Sequence, residues 1–376
     1  MPGYEIINSK ERKALTKIFD EGSIFFSHGF DKLRKKYHVR EFEEHCKNFF
    51  KVKYCLFVSS GTAAIKIGLK SLNVKPGDHV ITQAFNFIAT IEAILDLGAI
   101  PKIIGIDDSL NMCPVELKKN ITKKTKVVIP VHMLGFSANL EKIKYECKKK
   151  KISILEDNCE AIGGMYNKKY LGTLGEIGVF SFDFGKIITT GEGGLILTNN
   201  QKIFNFCREY HDHGHMNLKN LSRGNDLARI HGFNYRATEF QGAIGKVQLK
   251  KLNTLLKDNK KKYLILEKKL SKKFIIRKIH NNSKPNYDTF IFFEKNKKER
   301  DKIIFLLKKL KIGTKNLPDA IKWHCSYYWK HCLPKHQIKN SLSTKNKLEE
   351  CIAVPINYRI SFKRYRELCN KILLLK

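Results

Sequence analysis

Residues 181–194, SFDFGKIITTGEGG, set a single lysine, Lys186, between an apolar run and a knot of threonines and glycines. Elsewhere the lysines of this chain fall in helical patterns such as KKLNTLLKDNKKKYLILEKKLSKK, on what read as solvated faces. Phe182, Phe184, Ile187 and Ile188 flank Lys186, and apolar surroundings disfavour an ammonium. A lysine pKa lowered in this way is expected here, because it is what an imine-forming amine requires. Gly191, Gly193 and Gly194 let the backbone turn sharply or approach a ligand closely. The stretch therefore reads as a loop between two strands, IGVFSFD before it and GLILTN after it.

Working outward, residues 50 to 200 alternate short β-branched runs with helical patterns. YCLFVSS, HVITQAF, IPKIIGID, TKVVIPVHMLG and ISILED read as strands. GTAAIKIGLKSL, NFIATIEAILDLG (closed by Gly98) and LEKIKYECKKK read as helices. That alternation predicts an α/β protein with a mostly parallel central sheet and crossover helices. Residues 211–236, HDHGHMNLKNLSRGNDLARIHGFNYR, have no periodicity and are long for a connection, which predicts a site loop or an interface loop. One long helical pattern follows, leading to a smaller α+β unit with a strand YDTFIFFEK and a helix KERDKIIFLLKKLKI. The division expected is a large domain over residues 1–245 and a small C-terminal domain over 246–376.

The chain has 376 residues, 42% hydrophobic and 28% charged, enough to bury a large core. No run approaches the roughly 18 consecutive apolar residues that span a bilayer, and MPGYEIINSKERKALTK lacks a signal-peptide core, so a cytoplasmic protein without membrane insertion is expected. Ten cysteines are scattered without a C-x-x-C pair, as reduced thiols are. The net charge of +35 raises nucleic acid as a partner, and a basic nucleic-acid-binding protein is the rival reading from another class. However, 59 of the 71 basic residues are lysines dispersed along helices, without the Arg forks and interleaved aromatics of specific phosphate and base readers. No nucleic-acid partner is expected. His211, His213 and His215 lack further ligands at a defined spacing, so no metal is expected either.

Ligands of open parallel sheets sit at the carboxyl ends of the strands. After YCLFVSS, Gly61 and Thr62 open a helix, either as part of an ordinary N-cap or as a phosphate site. After ISIL come Glu156, Asp157, Asn158, Cys159 and Glu160, which read as a helix cap or as the source of a carboxylate that keeps a ring nitrogen protonated. Ser181 is a possible phosphate donor beside Lys186. An amine nucleophile, a carboxylate for a pyridine nitrogen and a helix-end phosphate cradle together specify pyridoxal 5′-phosphate.

VSSGTAAI, EDNCEAIGG, SFDFGKIITTGEGG and GFNYRATEFQGAIGKVQL resemble, in order and spacing, the sugar aminotransferases of the DegT/DnrJ/StrS type. The similarity runs over residues 40 to 252 and more loosely to the end. It implies the aspartate aminotransferase fold, fold type I of the pyridoxal phosphate-dependent transferases. By the same resemblance Lys186 is the Schiff-base lysine and proton shuttle, Asp157 the partner of the pyridinium nitrogen, and Phe87 in FNFIAT the aromatic residue stacked on the ring. Gly61, Thr62 and Ser181 would hold the phosphate. Glu160 stands near the cofactor's 3′ oxygen, where many members have Gln. Asn234 is similar to the asparagine that reaches the phosphate of the neighbouring subunit, which implies a homodimer with shared active sites; locally it reads equally as a cap of the following helix. Relatives that replace the lysine with histidine are dehydratases, and Lys186 argues against that chemistry.

The N-terminal stretch, the lysine loop and the 211–236 run look most like the transaminases that make 8-amino-3,8-dideoxy-octulosonate, a sugar acid of lipopolysaccharide. The reaction implied moves an amino group from L-glutamate to the keto-sugar 8-oxo-3-deoxy-octulosonate. A nucleotide-linked 4-keto- or 3-keto-sugar, as in perosamine formation, is the alternative acceptor. For the acceptor site, His213 and His324 are candidates, as are Arg223 and Arg229, which could grip an anionic group by a bidentate fork or serve as ordinary ion-pairing residues. Trp323 beside His324 reads as a core side chain or as part of the substrate side.

Overall fold

Runs such as YCLFV, IGVFS and GLILT carry no polar alternation because the strands they form are covered on both faces. The computed structural model describes residues 3–218 and 221–375, so Lys219 and Asn220 of the aperiodic run lie outside the described residues. Seven strands make the central sheet: β1 (Tyr54–Val58), β2 (His79–Gln83), β3 (Ile100–Ile104), β4 (Thr125–Ile129), β5 (Ser153–Asp157), β8 (Ile177–Ser181) and β9 (Gly194–Thr198). Between β5 and β8 the chain makes a short hairpin, β6 (Met165–Tyr166) and β7 (Lys169–Tyr170). The sheet order is β1-β9-β8-β5-β4-β2-β3. Strands β3, β2, β4, β5 and β8 run parallel, whereas β9 is antiparallel to both β8 and β1.

Crossover helices cover both faces. Helices α1 (Ser9–Asp20) and α2 (His38–Phe50) precede the sheet, and α3 (Gly61–Ser71), α4 (Ala89–Asp96), α5 (Pro114–Asn120), α6 (Leu140–Lys149) and α7 (Gln201–Tyr210) follow β1, β2, β3, β4 and β9. On one face Ile67 and Leu69 pack with Val127, Leu155 and Val179. On the other, Ile143 and Cys147 pack with Ile81, Ile104 and Val128.

The 32-residue α8 (Glu239–Leu270) starts from a capping box of Thr238 and Gln241 and runs unbroken through positions 245 and 246, where the sequence suggests a boundary. Its first half lies against α2, its second half buries Tyr263, Leu266 and Leu270 in the core of the C-terminal unit. There Phe290 and Ile352 come from a small antiparallel sheet, and Ile303 and Leu307 from the helix Lys297–Lys309. No helix among the described residues is long and apolar enough to cross a membrane.

Candidate active site

Strands β5 and β8 are parallel neighbours, so their carboxyl ends lie side by side. The end of β5 delivers Asp157 to Glu160, and the end of β8 delivers Ser181 and the loop that carries Lys186. That loop is pinned at its base: Phe182 N–H donates to Gly193 O at 2.9 Å, and Thr190 N–H to Phe182 O at 3.0 Å. Phe182, Ile187 and Ile188 are buried in the core with Phe42 and Phe57. Phe184 turns outward and stacks on Tyr4 at 5.0 Å.

The flanking apolar side chains therefore anchor the loop without surrounding the amine. Lys186 is half-buried. Burial opposes its charge, but Glu160 foremost, then Cys159, Asp183 and Asp157, outweigh burial and hold the lysine above its ordinary range. This corrects the expectation of a lowered pKa, because carboxylates from the neighbouring strand end decide the balance.

The acids after β5 divide their work. Glu156 is fully buried and accepts from the N–H groups of Gly172 at 3.0 Å, Leu174 at 2.6 Å and Gly175 at 2.5 Å, with His132 at 3.3 Å. It is a structural carboxylate. The Asp157 carboxylate is buried beside it, with Oδ1 accepting from Cys159 N–H at 3.0 Å and Oδ2 from the Thr90 hydroxyl at 3.1 Å. Glu160 accepts from Leu134 N–H and from Asn316 Nδ2, both at 2.9 Å. Burial would raise its pKa, yet Lys186, Lys315, His324 and the Asn316 hydrogen bond bring it down to about 2.

At the start of α3 the N-cap is Ser60, whose hydroxyl accepts from Ala63 N–H at 3.1 Å. The N–H groups of Gly61 and Thr62, in the helix's first turn, have no partner within the helix. A Cβ on Gly61 would lie 2.9 Å from Ser181 Cβ and 3.3 Å from Ser181 Oγ and Cys159 Sγ, so only glycine lets the helix end close on β8. Gly194 allows the matching approach from β9, since a Cβ there would fall 2.1 Å from Ser60 O. Thr62 also opens onto a cavity of about 330 Å³ lined by Ser59, Lys66, Glu92 and Tyr235.

Phe87 is 47% exposed, and its ring lies 5.4 Å from the His324 ring. His324 Nδ1 donates to Ala320 O at 2.9 Å, leaving Nε2 open, and burial lowers its pKa. His324 thus joins Lys186 and Glu160 from the C-terminal side, together with Lys315 and Asn316. Trp323 is 59% exposed, whereas Trp329 is the core tryptophan of that stretch, six residues further on.

The loop candidates are placed otherwise. Arg223 makes a two-point fork with Asp212 at 2.7 and 2.5 Å, and Arg236 shares that carboxylate at 2.6 Å. Arg229 pairs with Glu209. Both arginines thus serve ion pairs that fold the loop back on α7. His213 is exposed, His211 is buried against His28 at 3.1 Å, and His215 faces Asp226 at 3.3 Å, so the three histidines do not converge. Asn234 is exposed with Oδ1 3.4 Å from Arg236 N, and the cap of α8 is Thr238, which removes the capping alternative for Asn234.

Thr90, Lys315 and Asn316 escaped the reading of the sequence. Thr90 had only its place in the first turn of a helix that follows a strand end. Lys315 and Asn316 had none, being brought in from a separate unit.

A parallel sheet with one reversed strand, a lysine in the loop before that strand and a buried acid at the end of the adjoining parallel strand define the fold type I pyridoxal phosphate-dependent transferases. The aminotransferase from Psychrobacter cryohalolentis superimposes with a TM-score of 0.85 over 98% of this chain and 97% of its own, at 22% identity. Residues 27–373 match the DegT/DnrJ/EryC1/StrS aminotransferase family, and the chain belongs to it. It is 33% identical to the GDP-perosamine synthase of Vibrio cholerae over 259 residues, 68% of this chain and 67% of that one. It is 31% identical to the GDP-perosamine synthase of Escherichia coli O157:H7 over 262 residues, 67% and 68% of the two chains. The protein is therefore an aminotransferase, an enzyme class that works with pyridoxal phosphate. The nucleic-acid-binding rival gives way to that reading.

Proposed function

We propose that this enzyme transfers the amino group of L-glutamate to a nucleotide-linked keto-sugar, as a homodimer with shared active sites. The observation that carries the catalytic part is the convergence of Lys186, Asp157 and Glu160 beside the cradle of Gly61, Thr62 and Ser181. The likeness to GDP-perosamine synthases supports the nucleotide-linked acceptor over the octulosonate.

The cradle suits a phosphate, because unpaired helix N–H groups and the Ser181 hydroxyl face the same concavity and a single Cβ would fill it. When bound, pyridoxal phosphate supplies a carbon that carries the amino group and a ring that accepts the electrons released at the donor's α-carbon. Asp157 would hold a proton on the ring nitrogen, its own two oxygens being fixed by Cys159 and Thr90. Lys186 Nζ takes the proton from the donor's α-carbon and returns it one position along, acting as base and then as acid. For that it must first lose the proton that Glu160 helps it keep. Phe87 would help hold the ring and keep water from it, and Glu160 orients Lys186 and would help hold the cofactor's 3′ oxygen. His324 Nε2 is open to a hydroxyl of the acceptor. Asn234, exposed on its own subunit, serves the neighbouring site.

The protein loaded with pyridoxal phosphate should absorb near roughly 410–420 nm and shift toward about 330 nm with L-glutamate. Lys186→Ala should lose both the visible band and turnover. Offered a GDP-linked 4-keto-6-deoxy sugar or 8-oxo-3-deoxy-octulosonate, it should aminate the former, detected by mass spectrometry with 2-oxoglutarate formed in equal amount. Amination of the octulosonate alone would refute the acceptor assigned.

A further inference from the structure

We propose that Asn86 and Thr90 form a positioning pair that sets the Asp157 carboxylate relative to Phe87; the inference rests on the roles given above to those two residues. Asn86, in the turn that leads into α4, and Thr90, in the first turn of that helix, are each 1% exposed. The Thr90 hydroxyl has one proton and two acceptors in reach, Asp157 Oδ2 at 3.1 Å and Asn86 Oδ1 at 3.2 Å. The charged carboxylate is the stronger acceptor and takes it. Asn86 Oδ1 is satisfied in any case by Phe87 N–H at 2.7 Å.

The pair is itself tied down. Asn86 Nδ2 donates to Thr82 Oγ1 at 3.2 Å, and the Thr82 hydroxyl to Ile129 O at 3.0 Å, so the chain of hydrogen bonds ends on β4 of the central sheet. Asn86 N–H donates to His324 O at 3.0 Å, which links the same residue to the C-terminal side of the site. Asn86 thus touches the main chain of Phe87 through its side-chain oxygen and that of His324 through its own backbone N–H, next to the Thr90 hydroxyl that donates to Asp157. Phe85, Ile88 and Ile91 around it are buried and apolar. Apolar residues at 82, 86 and 90 would pack there without the cost of burying polar groups, so these three stabilise little beyond the placement they impose. Without the Thr90 hydroxyl, Asp157 keeps only its contacts with Cys159, the N–H on Oδ1 and the thiol. Its plane is then free to turn away from the ring nitrogen.

The test uses the apoprotein and its affinity for pyridoxal phosphate, measured by equilibrium dialysis, in wild type, Thr90→Val, Thr90→Ser, Asp157→Asn and the Thr90→Val/Asp157→Asn double variant. A hydrogen bond to a charged group predicts about a tenfold loss of affinity in Thr90→Val, with Thr90→Ser within about twofold of wild type. In the Asp157→Asn background the Thr90→Val change should cost less than about twofold, because its partner's charge is already gone. In turnover, Thr90→Val should lower kcat about tenfold and leave KM for L-glutamate nearly unchanged. Wild-type affinity in Thr90→Val, or full additivity in the double variant, would overturn the pairing. Wild-type affinity in Asp157→Asn alone would instead overturn the role of Asp157, and the pair's purpose with it.

Discussion

Replacing Glu160 by Gln isolates the charge that governs Lys186. The amide is nearly isosteric and keeps both contacts: its oxygen can accept from Leu134 N–H while its NH₂ donates to a flipped Asn316 side chain. What disappears is one negative charge. A carboxyl brought from its ordinary 4.5 down to about 2 reflects about 3 kcal/mol of preference for the charged form. Lys186 is the first of the charged groups that supply it, ahead of Lys315 and His324. The same attraction acts on the lysine, because Glu160 is the first of the charges that hold Lys186 above its ordinary range. The titration midpoint of Lys186 in the apoprotein should therefore fall in Glu160→Gln. Trace acetylation across a pH series, read by mass spectrometry on the peptide containing Lys186, measures that midpoint directly. A midpoint unchanged from wild type would refute the coupling and leave burial in charge of the lysine.

Two further outcomes follow from the same geometry. Because Glu160 is lowered on folding, its stabilising contribution is complete above pH 4.5 and disappears as the pH falls toward 2. Urea unfolding midpoints of wild type should thus drop through that window, and the drop should be shallower in Glu160→Gln. Gly61→Ala should weaken pyridoxal phosphate binding about tenfold while lowering urea stability by no more than about 2 kcal/mol. The crowding against Ser181, about 1–3 kcal/mol for an overpacked site, is partly offset by about 1 kcal/mol of helix propensity. Unaltered affinity, by dialysis of the apoprotein, would show that the cradle does not receive the phosphate.

The strands from β1 to β5 were legible because buried parallel strands write themselves as short unbroken apolar runs between helical patterns. The reversal of β9 was not: GLILT, buried throughout, reads the same in either direction. The place of the lysine in a loop between two strands was legible, but its electrostatics were not. Glu160 lies 26 residues before Lys186 and becomes its neighbour only because β5 and β8 are adjacent. Arg223 and Arg229 look in sequence like free anion grips, and the acids that engage them, Asp212 and Glu209, stand on the far side of an aperiodic stretch. Trp323 and Trp329 share one short segment, and nothing in its pattern says which of the two faces solvent.

The reversed strand also fixes an order of assembly. Strands β8 and β9 are joined by the lysine loop and can pair as soon as both exist, whereas β1 waits for a strand partner about 140 residues further along the chain. Closing so long a loop comes late, since its entropy must be met before the contact helps. Gly61 follows β1 directly and rests on Ser181 and the start of β9. On the ribosome, the side of the pocket that Gly61 and Ser181 form therefore stays open until β9 has emerged, and a chain stopped before Gly194 would carry Ser181 and Lys186 beside a cradle without its wall.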